Sequence, residues 1–169
     1  MTNERNSIRI ITLPAVTVAS CKFIGENPEM VTGEMLDKFV LDADLPRIKP
    51  DLRHFGFNAP NPIDASGYHG YERWVTIPDD MEVPAPLTKK CFNGGTFAAL
   101  KIVMGDFDEW GRLNEWVQNN PDYEANIVCR DGGYVDGLLE EHLDYANYVA
   151  VEGADVAELD LLYAIKAKA

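Results

Sequence analysis

The 169-residue sequence predicts an α+β fold of two fused βαββ halves around a central cleft. The order strand, helix, strand, strand is legible twice, over about residues 7–80 and again over about 87–167. Residue identities do not repeat between the halves; only the order of elements does. Between them lies "PDDMEVPAPL", a proline-rich surface connection placed at the midpoint. The length suits one domain or a fused pair of small halves.

Each element has its own warrant. Residues 8–24 are rich in β-branched side chains and read as a strand, or a bent pair broken at Pro14. A helix follows, with Asn27 as cap, Pro28 at its first position and a stripe of Val31, Met35, Leu36, Phe39 and Val40; Pro46 ends it. Residues 52–57 and 70–77 read as strands separated by loop chemistry. In the second half, "TKKCFNGGTFAALKIVM" reads as a strand with an Asn-Gly-Gly turn or bulge near its start. "GDFDEWGRLNEWVQNNP" reads as a helix, with capping-box spacing at Asp106 and Glu109 and a Trp110, Leu113, Val117 stripe. A mixed segment turning at Gly132-Gly133, the strand "LLEEHLDY" and a closing strand "AELDLLYAIKAK" complete the chain.

Composition excludes several functions. The formal charge of −13 argues against a phosphate-binding surface and direct nucleic-acid binding, and a negative field favours cationic partners. No apolar run reaches 18 residues, so no membrane span is expected, and the polar start lacks a signal-peptide core; the default location is the cytoplasm. Three dispersed cysteines read as reduced, and mostly as packing residues. No P-loop, nucleophile elbow, HExxH or dinucleotide fingerprint occurs, and the histidines lack metal-ligand spacing, so neither a metal nor a cofactor is expected.

The stretch "HGYERWVTIPDD" holds an odd residue. Alternation puts Glu72, Trp74 and Thr76 on one face of a strand and Tyr71, Arg73, Val75 and Ile77 on the other. Either the Glu72–Trp74 face meets water at a sheet edge, or it lines a cleft that wants a ring and a negative charge. Glu140 and His142 likewise share a face, opposite Leu139, Glu141 and Leu143; the leucines make theirs the more core-like. Phe55 and Phe57 share a face and serve either as aromatic wall or as core.

"GYERWVTIP", "FNGGTFAALKI", "DEWGRLNEWVQNNP", "LEEHLD" and "LDLLYAIK", in that order, resemble the GyrI-like, or bacterial transcription-activator effector-binding, domain over about residues 8–167. The resemblance implies a tandem SHS2 fold with a cleft for small, lipophilic, often cationic molecules. It also implies a buried glutamate facing the cleft from the penultimate strand, here Glu140, with His142 where the family often has tyrosine. The chain starts directly at the first strand, without the roughly 50–100 residues of a DNA-binding domain, so a stand-alone module is expected. The ligand set read from residues and resemblance together is Glu140, His142, Glu72, Trp74, Phe55, Phe57, Trp110 and Tyr163. The favoured role is a sensor or sequestering protein. The alternatives are hydrolysis of a reactive, cyclopropane-type xenobiotic using Glu140 and Glu72, and a protein-binding role such as gyrase protection.

Overall fold

The computed structural model describes residues 6–169; the polar residues 1–5, part of the start read above, lie outside the described residues. Eleven strands are found among them: β1 (Arg9–Leu13), β2 (Val16–Gly25), β3 (His54–Asn58), β4 (His69–Thr76), β5 (Thr88–Phe92), β6 (Gly95–Val103), β7 (Tyr123–Ala125), β8 (Val128–Arg130), β9 (Tyr134–Asp136), β10 (Leu138–His142) and β11 (Glu158–Ala167). Four helices join them: α1 (Pro28–Asp42), α2 (Leu45–Ile48), α3 (Glu109–Gln118) and α4 (Tyr145–Tyr148).

The main sheet is antiparallel, in the order β1-β6-β11-β10-β3-β4-β2-β5, with β7 added to the far end of β11. It curls strongly into a half-barrel. The order is a palindrome of two βαββ units. One is β2-α1-β3-β4, the other β6-α3-β10-β11, and they meet where β3 pairs with β10. The expected α+β fold of two such halves is therefore the observed one. β1 and β5 are exchanged: each precedes the first strand of one unit and pairs with the first strand of the other. The exchange needs a close crossing at Leu13-Pro14 and Asn93-Gly94. There Gly94 takes φ 70°, and a Cβ on it would lie 2.2 Å from the Leu13 carbonyl oxygen. The Asn-Gly-Gly signal thus marks a strand crossing between halves.

Both long helices pack on one face of the sheet. Leu36, Phe39 and Val40 of α1 bury against Ala19, Cys21, Val75 and Ile77. Leu113 and Val117 of α3 bury against Leu100, Ile102, Leu161 and Ile165. Burying each such side chain contributes about 1.5–3 kcal/mol. The other face, inside the curl, carries a third core of Leu13, Phe55, Phe97, Leu139 and Leu162.

The local corrections have simple causes. Asn27 occupies the cap of α1 in the left-handed region and makes no side-chain cap bond. α1 stops at Asp42, and Pro46 lies inside the separate turn α2 rather than ending α1. The cap of α3 is Asp108, without a side-chain bond, so the Asp106–Glu109 spacing does not form a capping box.

Candidate functional site

The register at the seam decides which side chains meet. Glu140 pairs with Gly56, and Gly56 pairs with Arg73; His142 pairs with His54, and His54 with Val75. Directly paired residues share a face. Glu140, His142, His54, Arg73 and Tyr71 therefore all stand on the helix-covered face, between α1 and α3. Phe57 pairs with Glu72, and Phe55 with both Trp74 and Glu141. Those five stand on the inner face.

Glu140 and Glu72 accordingly project to opposite sides of the sheet. The one-residue parity sets the two carboxylates on opposite faces, so they do not meet across one cleft. Glu72 is buried and occupied: it accepts hydrogen bonds from the Ser20 hydroxyl (3.0 Å) and the Trp74 indole (2.6 Å), and pairs with Lys90 (2.9 Å). Phe55 is 1 % exposed and belongs to the core.

Glu140 has a different setting. Its hydrogen-bond partner is the Tyr71 hydroxyl, at 3.1 Å. That bond passes over Gly56: a Cβ there would lie 2.2 Å from the phenolic oxygen and 2.7 Å from the ring. Behind Tyr71 lies the Arg73 guanidinium, 5.0 Å from the ring centroid. Arg73 donates to the Thr32 hydroxyl (3.1 Å), the Glu29 carbonyl (2.8 Å) and the Nε2 atoms of His54 (3.2 Å) and His142 (3.5 Å). None of these partners is a carboxylate. Burial pushes Glu140 from its ordinary 4.5 up to about 7, against the opposing pull of the Tyr71 hydrogen bond and the Arg73 charge. Burial and then Arg73 hold His142 down at about 3, so it is neutral; it stacks on His54 at 4.3 Å. His54 is also held well below the ordinary range, by burial first, then His142 and Arg73.

A cavity of about 380 Å³ opens in front of Glu140. Leu138 and Tyr163 line it from the helix-covered face of the sheet, Trp110 and Asn114 from α3, and Phe57 of the opposite face also borders it. Tyr163 donates its hydroxyl to Asn114 at 3.1 Å, which fixes the phenol against the helix. The structure thus brings Glu140, Phe57, Trp110 and Tyr163 together. It leaves His142 packed beside Arg73 rather than in the cavity wall, and puts Trp74 on a separate cavity across the sheet. A larger groove of about 440 Å³ lies between α1 and residues 82–87. Its polar groups are exposed, with Lys38 paired to Asp42, so it offers no buried group for recognition.

Sequence reasoning did not single out Tyr71, Gly56 or Asn114, nor the role of Arg73. Gly56 carried a usable signal, since an isolated glycine inside a strand marks a close approach. Among the described residues no helix is long and apolar enough to cross a membrane.

Comparisons with known proteins bear on this arrangement. No curated protein matches the chain in sequence. Among solved structures, the chain is similar to EcmrR in an EcmrR–DNA complex (TM-score 0.63, 11 % identity), covering 95 % of this chain but only 57 % of that one. It is similar to the isolated C-terminal domain of EcmrR (TM-score 0.62, 11 % identity), covering 95 % of this chain and 98 % of that one. It is also similar to a Listeria innocua protein described as a hydrolase (TM-score 0.62, 8 % identity), covering 98 % and 94 %. At these identities the likeness shows the fold alone. The profile of one family, Cass2, described as integron-associated effector binding protein, matches residues 9–165, nearly the whole chain. The effector-binding resemblance read from the sequence is thereby borne out, and the chain belongs to the integron-associated effector-binding protein family.

Proposed function

We propose that the protein binds a small aromatic or lipophilic organic cation in the cavity before Glu140, in a sensing or sequestering role. One observation carries the reading. Glu140 is a desolvated carboxyl at about 7 with no ion-pair partner among the described residues, aimed at a cavity walled by Phe57, Trp110 and Tyr163. An entering cation supplies the missing counter-charge. Its apolar body contacts the rings, where cation–π attraction adds about 0.5–2 kcal/mol. The membership of an effector-binding family supports small-molecule binding in general; the cationic preference rests on Glu140.

The test is calorimetric titration with benzyltrimethylammonium and its uncharged isostere neopentylbenzene. The reading predicts saturable binding of the cation, with affinity at least tenfold weaker (~1.4 kcal/mol) in Glu140→Gln. Equal binding of both compounds, or indifference to Glu140, overturns it. The hydrolase alternative keeps only Glu140 as its carboxyl, with the Tyr71 hydroxyl as neighbour. Mass spectrometry of the same mixtures, showing product or none, separates it from a pure binder.

A further inference from the structure

The inner face of the sheet carries its own cavity, of about 390 Å³. Trp74, Phe92 and Phe97 wall it with Phe57, and Asn93 and Asn126 stand at its rim. The rings form a chain: Phe57 meets Trp74 edge-on at 4.9 Å, Trp74 meets Phe92 at 5.3 Å, and Phe92 meets Phe97 at 6.3 Å. Such tilted arrangements leave ring faces and edges open to a further ring. The volume is within the range of small-molecule sites.

Asp136, the charged residue of the lining, and Glu72, the carboxylate bonded to Trp74, are both internally paired. Glu72 is neutralised by Lys90 and also accepts the Trp74 indole N–H. Asp136, in the wall, is held by Arg130 through two bonds of 3.0 and 2.9 Å. This is the opposite of the Glu140 cavity, where the carboxyl lacks a counter-ion. The wall therefore offers rings, amides and no net charge.

We propose that this cavity is a second binding site, for a neutral planar aromatic molecule. The occupant follows from the lining: a cation would find no free carboxylate in it and an anion no cation, while desolvating either costs several kcal/mol. A flat ring is matched by Trp74 and Phe92, with Asn93 and Asn126 able to bond a polar substituent. The hairpin β8–β9 closes the site over the sheet, since Val128 and Val135 line it. That hairpin is tied to the first half of the chain by the Asn61 backbone N–H donating to the Gly133 carbonyl at 2.9 Å. Phe57, Val135 and Leu138 are common to both cavities, so only one layer of side chains separates the two sites. Trp74, grouped with Glu72 in the sequence as a trap for cations, serves a neutral ring in this arrangement.

The test uses the full chain and N-phenyl-1-naphthylamine, an uncharged probe whose emission rises in apolar surroundings. The expected result is saturable one-to-one binding that benzyltrimethylammonium does not displace competitively. Affinity falls at least tenfold in Trp74→Leu. Asn126→Trp, at an exposed position of the rim, fills the mouth without touching the core and produces the same loss, so the outcome does not hang on Trp74→Leu folding. Absence of saturable binding overturns the proposal. So does unchanged affinity in Asn126→Trp, and so does loss of probe binding in Glu140→Gln with competitive displacement by the cation, which would put the probe in the Glu140 cavity.

Discussion

The Tyr71 hydroxyl reaches Glu140 at 3.1 Å by crossing above Gly56, which pairs directly with Glu140 in the sheet. A tyrosine on β4 thereby touches a carboxyl two strands away, and Arg73 stands behind its ring. The group that faces the cavity is set by this relationship: a buried acid, eased toward ionisation by one hydrogen bond and one distant charge.

Cation binding should depend on pH through Glu140. At about 7 its proton competes with the ligand below neutrality. Between pH 8 and pH 6 the affinity for benzyltrimethylammonium should fall roughly tenfold, following the ionised fraction. Glu140→Gln should show a flat profile. Calorimetry across the range checks both.

Removing the Tyr71 hydroxyl should move that profile upward. Its hydrogen bond favours the ionised carboxyl, so Tyr71→Phe leaves Glu140 more basic still. The pH of half-maximal binding should rise, with affinity recovering at high pH. A profile that stays in place would show that Tyr71 does not act on the carboxyl.

Glu140 should cost stability at alkaline pH. Its folded value, about 7, exceeds its ordinary 4.5. The contribution is favourable below the unfolded value and is lost as pH rises through the folded one. At about 1.4 kcal/mol per unit, Glu140→Gln should gain roughly 2–3 kcal/mol over wild type between pH 5 and pH 8. Urea unfolding of the two proteins at both pH values measures it.

Gly56→Ala should destabilise by about 1–3 kcal/mol, the usual cost of overpacking. The new Cβ meets the Tyr71 ring and hydroxyl, so the loss should shrink in a Tyr71→Leu background. A double-mutant cycle in urea gives the coupling.

Glu72→Gln should lower stability by about 1–3 kcal/mol, because the buried Ser20 hydroxyl, the half-buried Trp74 indole and the Lys90 ammonium at the rim lose a charged acceptor. Cation affinity should be unaltered, since Glu72 is across the sheet from Glu140. A matching loss of affinity would place the two carboxylates in one site.

The halves were legible because helix and strand periods are local. Leu36, Phe39 and Val40 recur at helical spacing, and β4 and β11 alternate or run apolar over a strand's length. What alternation could not supply was the relation between strands. It groups Glu72 with Trp74 and Glu140 with His142 correctly, yet whether the two groups share a side depends on β3 inserting between them in one particular register. Shift that register by one residue and both carboxylates face the same cavity. The exchange of β1 and β5 was equally hidden, because Pro14 and Gly94 signal a bend without saying which strand follows as neighbour. Trp110 and Tyr163 were reachable as aromatics on elements of the second half; Asn114 was not, being an ordinary polar residue of α3 until the fold sets Tyr163 against it.

On the proposed reading Glu140 carries a proton which an organic cation displaces. This exchange is tested most directly by titrating benzyltrimethylammonium at pH 7 in buffers of different ionisation enthalpy. Half-protonated in the free protein, Glu140 should release about half a proton per cation bound, and Glu140→Gln should release none. Binding with no proton release, or with the same release in the variant, would contradict the account.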